Sequence, residues 1–451
     1  GVDLRLYHNA GGSIIQELAI ALATGNEWIA RLTDLEVPAG VVASHLHFTF
    51  AVGSNYFPEI AKLRAFRLLW EQVTGQYLDE EDGKARAYIH AETSGWNKTL
   101  YDAHNNILRS TTEALSAVIG GCDSLTVRPF DEPLHTPGAF SRRIARNSQL
   151  ILREEAYADK VVDPAAGSYY IETLTDKIAE KAWSEFQEIE KLGGMMKALE
   201  QRYIQKEIDK WRRQRDRDIA MRNRVFVGVN QHPNPDEQID ENYHDDRPIF
   251  SLHSSNDKEF KGTQQNLAEV LEKQLGEGAS VGDVLSLLYQ PEKQGTEALS
   301  PYRGSQHFEE LRLAVERASK TPKVLTVPLG DRKLRSARAS FAAGFFGSAG
   351  YHIINPVGFT SIDEAMDTVR EHSPEIAVLC SSDIEYQSLA VPFCKALQKL
   401  PEKPIAVLAG YPEQQIEQYR KAGIVTFIHR NSNILETLID FHTKLGILNR
   451  E

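Results

Sequence analysis

The stretch PKVLTVPLGDRKLRSARASFAAGFFGSAGYHIINP, residues 322–356, decides how the carboxy-terminal part of the chain folds. Val324 to Val327 form an apolar run of strand type that breaks at Leu329, Gly330 and Asp331. A helical pattern rich in Ala and Phe follows over 336–346, and a second strand opens at His352. Strand, short loop, helix and strand make the repeating unit of a parallel sheet. In open sheets of this kind ligands sit over the carboxyl ends of the strands. Asp331, Lys333 and Ser336 are therefore candidate binding residues.

The same unit continues to the end of the chain. Further strands are expected at 352–354, 376–380, 405–408 and 426–428, with helices at 361–371, 386–397, 412–422 and 433–445. Five parallel strands with intervening helices predict a flavodoxin-like, Rossmann-like doubly wound domain over 321–451. Residues 1–160 also alternate, with strands expected at 3–6, 45–52, 84–92 and 124–127 and helices at 14–30, 57–73, 100–119 and 141–156. Four such units are half of an eight-unit barrel and leave two sheet edges to be covered. The expectation for 1–230 is thus the carboxy-terminal half of a TIM-like (β/α)8 barrel with trailing helices at 174–192 and 195–222. The run KEIDKWRRQRDRD interleaves both signs of charge and reads as a solvated helix face. Residues 231–320 are rich in Asn, Asp and Pro at their start and read as a linker carrying a short helix at 281–289.

Bulk properties narrow the function classes. A chain of 451 residues exceeds the roughly 250–300 at which single cores stop growing. With 51 basic and 63 acidic residues the net charge is −12, which disfavours nucleic acid and anionic membranes as partners. Cys122, Cys380 and Cys394 are an odd set without a close pair, so neither a disulfide framework nor a thiolate zinc site is expected. A reducing compartment follows, the cytoplasm or an organelle matrix. No apolar run reaches the roughly 18–20 residues that span a bilayer. The sequence opens at Gly1 inside a strand pattern, so the first half of the barrel is expected to be missing from it.

Longer motifs go further. NAGGSIIQELAIALATG, HAETSGWNKTLYDAHNNILRSTTEAL, FSRRIARNSQLILREEAYADKVVDPAAGSYYIETLT and VFVGVNQH together resemble the methylmalonyl-CoA mutase family, and most closely the small subunit of its heterodimeric bacterial members. The resemblance implies a coenzyme A-binding barrel followed by a domain of the cobalamin-binding type. Active members interconvert succinyl-CoA and methylmalonyl-CoA by a radical route in which the cofactor supplies the radical and the protein orients and shields the substrate.

Against that family pattern the chain departs at several places. Catalytic relatives read Asp-x-His-x-x-Gly where this chain has Asp331, Lys333 and Ser336. A protonated lysine has no lone pair to give cobalt. Ser381-Ser382 keeps a hydroxyl pair, while a Gly-Gly becomes Ala409-Gly410 and a Gly-Pro-Gly-Thr turn becomes His429 to Ser432. In the barrel, Tyr7-His8 lies two positions from the catalytic Tyr-His, and His45-Leu46-His47 stands for an Arg-Leu-Ser that contacts coenzyme A. His45 and His47 are expected to share one strand face, with no third ligand to make a metal site. His90 is retained, but Glu92 replaces a Gln, and its carboxylate would repel that of the expected substrate unless it is protonated. Arg64, Arg67, Trp70, Arg142, Arg143 and Arg146 read as scaffold and interface residues. The resemblance with these departures implies a small subunit without a catalytic residue or bound cofactor of its own, paired with a larger subunit that holds adenosylcobalamin in propionate metabolism. Two other readings stand beside it: an active acyl-CoA mutase that binds cobalamin without a protein His, and a protein-binding module.

Overall fold

The first sheet owes its orientation to the period-two pattern of its strands. β1 (Val2–Asp3), β2 (His47–Val52), β3 (Tyr88–Thr93) and β4 (Ser124–Thr126) run parallel in that order. Phe48, Phe50 and Val52 of β2 and Ile89 and Ala91 of β3 point to one face, where all five are buried. The other face carries Asp3, His47, Thr49, Ala51, Tyr88, His90, Glu92, Ser124 and Thr126, of which Ala51 and Glu92 are buried. The chain is described from a computed structural model at residues 1–78, 85–239, 243, 272–273, 276, 278 and 296–448. Among these residues β1 and β4 each pair along one side only.

Helices cover the apolar face. α1 (Arg5–Asn9) follows β1 directly, so the expected strand 3–6 is cut short. α2 (Ile14–Thr33) starts at a capping box in which the Ser13 hydroxyl accepts from Gln16 N at 3.2 Å and Gln16 Oε1 accepts from Ser13 N at 2.8 Å. α3 (Ala39–His45) precedes β2, and α4 (Tyr56–Thr74), α5 (Asn105–Ile119) and α6 (Ala139–Glu154) follow the later strands. Phe48 sits edge-on to Phe66 and Trp70, each at 4.7 Å between ring centres. Gly25 of α2 faces Trp70 so closely that a Cβ would collide with the indole. α7 (Tyr169–Lys191) lies across α2 and α4. The single helix expected over 195–222 is two, α8 (Met195–Glu200) and α9 (Tyr203–Ala220), because Arg202 takes a left-handed conformation at φ +59°.

The second sheet is parallel in the order β6-β5-β7-β8-β9, formed by β5 (Lys323–Pro328), β6 (His352–Ile354), β7 (Ile376–Cys380), β8 (Ile405–Ala409) and β9 (Thr426–Ile428). The central strands read as continuous apolar runs because both faces are covered. α10 (Gln306–Glu316), α11 (Arg332–Gly347) and α15 (Ile434–Lys444) belong to the core on one face, with Val324, Val378 and Val407. α12 (Ile362–His372), α13 (Tyr386–Gln398) and α14 (Ile416–Ala422) belong to the core on the other, with Leu325, Leu379 and Leu408.

α10 falls within the segment expected as a linker and is well anchored. Phe308, Leu311 and Val315 join Trp96, Leu100 and Tyr101 in one core, and Glu309 accepts from Leu100 N at 2.8 Å and from Arg303 at 2.7 Å. Gly1–Tyr243 and Leu299–Glu451 form one compact unit; His244–Ala298 are a second, and the helix expected at 281–289 lies outside the described residues. Among the described residues no helix is long and apolar enough to cross a membrane.

Candidate functional site

The loop after β5 turns at Gly330, whose φ of +82° is a left-handed conformation that favours glycine. Asp331 then caps α11, its Oδ1 accepting from Leu334 N at 3.0 Å. A capping carboxylate of this kind satisfies a helix N–H that would otherwise lack a partner. Lys333 and Ser336 are exposed on the first turns of the helix. Opposite them stands Glu385, which sequence reading did not single out. Its carboxylate accepts from the Ser382 hydroxyl at 2.7 Å, the Ser381 hydroxyl at 2.8 Å and Asp331 N at 2.9 Å. The Ser382 and Ser381 hydroxyls hold the Glu385 carboxyl below the usual carboxylate range. Ser382 Oγ also accepts from Glu385 N at 3.2 Å, so Ser382 and Glu385 bond reciprocally as in a capping box. That Ser-x-x-Glu spacing was the available signal. The hydroxyl pair of Ser381 and Ser382 is thus engaged within the chain.

Arg338 reaches across the carboxyl ends of β7 and β8. Its Nη1 donates to Ala409 O at 2.7 Å, its Nη2 to Asp383 at 2.8 Å, and its guanidinium lies over Tyr386. A Cβ on Gly410, whose φ is +153°, would collide with that guanidinium. Tyr386 is fully buried, donates to Ala409 O at 2.6 Å and accepts from Ser381 N at 3.0 Å. Beside it the rings of Tyr411 and His429 are 4.6 Å apart between centres, and burial lowers the His429 pKa. Around β6, Arg335 takes the corresponding place against Gly358.

On the first sheet, His90 and Glu92 share the polar face of β3, and both are occupied by neighbours. His90 Nδ1 lies 2.7 Å from Ser124 Oγ and its Nε2 3.2 Å from Thr126 Oγ1. Glu92 accepts from Arg5 at 2.7 Å and from Arg128 at 2.9 Å. The repulsive or protonated carboxylate weighed from sequence is instead bound by two guanidinium groups brought from α1 and from the loop after β4. His45 and His47 do not share a strand face: His45 ends α3, with Nδ1 2.8 Å from Val41 O, and His47 begins β2. Pro38 starts that short helix and delays the strand. Among the described residues no three His, Cys, Asp or Glu gather as metal ligands.

His8 is buried in a charged network beneath the strand ends. Its Nδ1 is 2.7 Å from Glu17 Oε1 and its Nε2 2.7 Å from Ser94 Oγ. Lys62, fully buried, is 3.2 Å from Glu17 and 2.6 Å from Glu59, and donates to Ala51 O at 2.6 Å. Burial works against the Lys62 ammonium, but Glu17 and Glu59 outweigh it and raise its pKa. Burial likewise works against the Glu17 carboxylate, but Lys62 and His8 outweigh it and lower its pKa. The Lys62 ammonium thus stands between the two carboxylates, with His8 bridging Glu17 to Ser94. Arg64 bridges to Glu172 at 2.9 Å and Arg67 to Asp123 at 2.9 Å, while Arg142, Arg143 and Arg146 are exposed.

Comparison with known proteins places the chain. The family model for methylmalonyl-CoA mutase matches residues 2–290. The methylmalonyl-CoA mutase small subunit of Porphyromonas gingivalis is 42% identical over 440 residues, covering 97% of this chain and 64% of that protein. The methylmalonyl-CoA mutase of Rhizobium meliloti is 30% identical over 96% of this chain and 66% of its own length. The methylmalonyl-CoA mutase small subunit of Streptomyces virginiae is 33% identical over 94% of this chain and 61% of its own. The chain thus spans 61–66% of the length of these relatives.

Proposed function

The chain belongs to the methylmalonyl-CoA mutase family, and from that premise we propose that it is the small subunit of an adenosylcobalamin-dependent methylmalonyl-CoA mutase, with a structural rather than a catalytic role. The larger subunit is its partner and holds the cofactor for the interconversion of succinyl-CoA and methylmalonyl-CoA, in the cytoplasm. Within this reading residues 1–230 are the carboxy-terminal half of a TIM-like barrel, 231–320 the connection, and 321–451 a flavodoxin-like domain whose strand order 2-1-3-4-5 is that of the doubly wound class.

One observation carries the reading. Where family members that bind cobalamin need an imidazole below cobalt and an open floor for the nucleotide tail, this chain has an exposed Lys333 and the Arg338 guanidinium packed against Gly410. The Ser381 and Ser382 hydroxyls already serve Glu385. These residues do not fit the cofactor. In the barrel half, His90 and Glu92 are held by Ser124, Arg5 and Arg128, which supports a scaffold in place of a substrate pocket.

The test is assembly. Mixed with the larger mutase subunit, the chain should sediment as a one-to-one complex. Failure to associate, or isomerisation of methylmalonyl-CoA by this chain alone, would overturn the proposal.

A further inference from the structure

A cavity of about 760 Å³ opens between α7, α9 and the amino-terminal ends of α2 and α4. Arg215 and Arg224 line it, and both guanidinium groups lie against the buried ring of Trp96, their central carbons 3.9 and 4.6 Å from its centre. Arg215 donates to Gly12 O at 3.1 Å. Among the described residues neither makes an ion pair, although each guanidinium presents five N–H donors. Burial pushes the Arg224 pKa down to about 10, and the neighbouring Arg215 pushes the same way. Burial also lowers Arg215.

Glu17, Glu59, Asp216 and Asp218 favour the charged forms of the two arginines from a distance, but among the described residues none of them makes an ion pair with either guanidinium. Glu17 and Glu59 are taken by His8 and Lys62, Asp218 accepts from Gln214 at 3.2 Å, and Glu207 lies 3.7 Å from Lys210. Two like charges that are partly stripped of water and share one aromatic ring are an unfavourable arrangement unless an anion neutralises them. Planar guanidinium forks match the several oxygens of a phosphate. Farther along the wall stands Glu185, raised in pKa by burial and by Glu207. Its carboxylate disfavours a second anionic group at that end.

We infer that this cavity binds a phosphorylated small molecule, with the phosphate on Arg215 and Arg224 and an uncharged or cationic remainder toward Glu185. The assay is calorimetric titration of the whole chain with inorganic phosphate and with phosphocholine, repeated on Arg224→Gln and on Arg224→Lys. Both probes should bind saturably, and phosphocholine more tightly because its cation meets Glu185. Arg224→Gln should weaken both by roughly tenfold, the factor that ~1.4 kcal/mol of lost interaction gives. Arg224→Lys keeps the charge but loses the fork, so it should bind between the two and serves as the check if the glutamine variant does not fold. Saturation absent for both probes, or affinities unchanged in both variants, would overturn the site. Equal affinity for the two probes would overturn the placement of the remainder.

Discussion

Replacing Lys62 by Met tests whether the buried network under the strand ends is scaffold. Met keeps nearly the same volume, so the packing of Lys62 against Phe50, whose ring lies 5.7 Å from the ammonium, is preserved. What is lost is the cation between Glu17 and Glu59, which are 0% and 2% exposed. Removing one partner of a buried ion pair costs about 3–5 kcal/mol because the remaining charge is stranded. The hydrogen bond from Lys62 to Ala51 O adds about 1 kcal/mol. The expected loss at pH 7 is therefore ~5 kcal/mol, read by urea unfolding with an unchanged slope. A second change, Glu59→Gln, should return about half of it by removing one stranded carboxylate. Acid should narrow the gap. In the wild type Glu17 is lowered, so its contribution is full at neutral pH and is lost as pH falls through and below the ordinary carboxylate range. In the variant the uncompensated carboxylates take up protons on folding, so acid favours the folded form. A loss under ~1 kcal/mol at pH 7, or a gap that widens in acid, would refute the reasoning.

Three further changes follow the same logic. Glu385→Ala removes the acceptor of two buried serine hydroxyls and of Asp331 N, and should cost about 2 kcal/mol by thermal or urea unfolding; because Glu385 is held low, the difference should persist at mildly acidic pH and fade only below the usual carboxylate range. His442 is buried and, among the described residues, has no hydrogen-bond partner for either ring nitrogen; burial lowers its pKa to about 4. The unfolded chain then binds the proton more readily, so stability should fall as pH drops from about 6.5 toward 4, by up to ~3 kcal/mol, and His442→Leu should remove that slope. Gly25→Ala should lose about 1–3 kcal/mol, since its Cβ meets the Trp70 ring and helix propensity alone would favour the change.

The alternation of strands and helices was legible because both sheets are parallel and their apolar faces are regular, as in Val324 to Val327. Failures came where a polar feature decided the geometry. Pro38 starts α3 and removes His45 from the strand, and Arg202 divides one helical pattern in two. Lys62 reads as a surface residue, yet Phe66, Leu69 and Val73 at helical spacing behind it are all buried. That stripe, with Glu59 three residues ahead, was the overlooked signal for a buried ion pair. The Arg5 and Arg128 partners of Glu92 are 87 and 36 residues away and no local pattern announces them. Lys333 and the changed loops were legible against the family motif, but the plug was not. Arg338 looks like any helix-surface arginine until β8 is placed beside it.

The most direct measurement is a titration of the whole chain with adenosylcobalamin, followed by visible absorbance and calorimetry, on the wild type and on Lys333→His. The account predicts no saturable binding in either, because the histidine would restore a ligand while Arg338 still occupies the floor beside Gly410. Saturable binding to the wild type would contradict it outright, and binding gained by Lys333→His alone would show that the arginine is no obstacle.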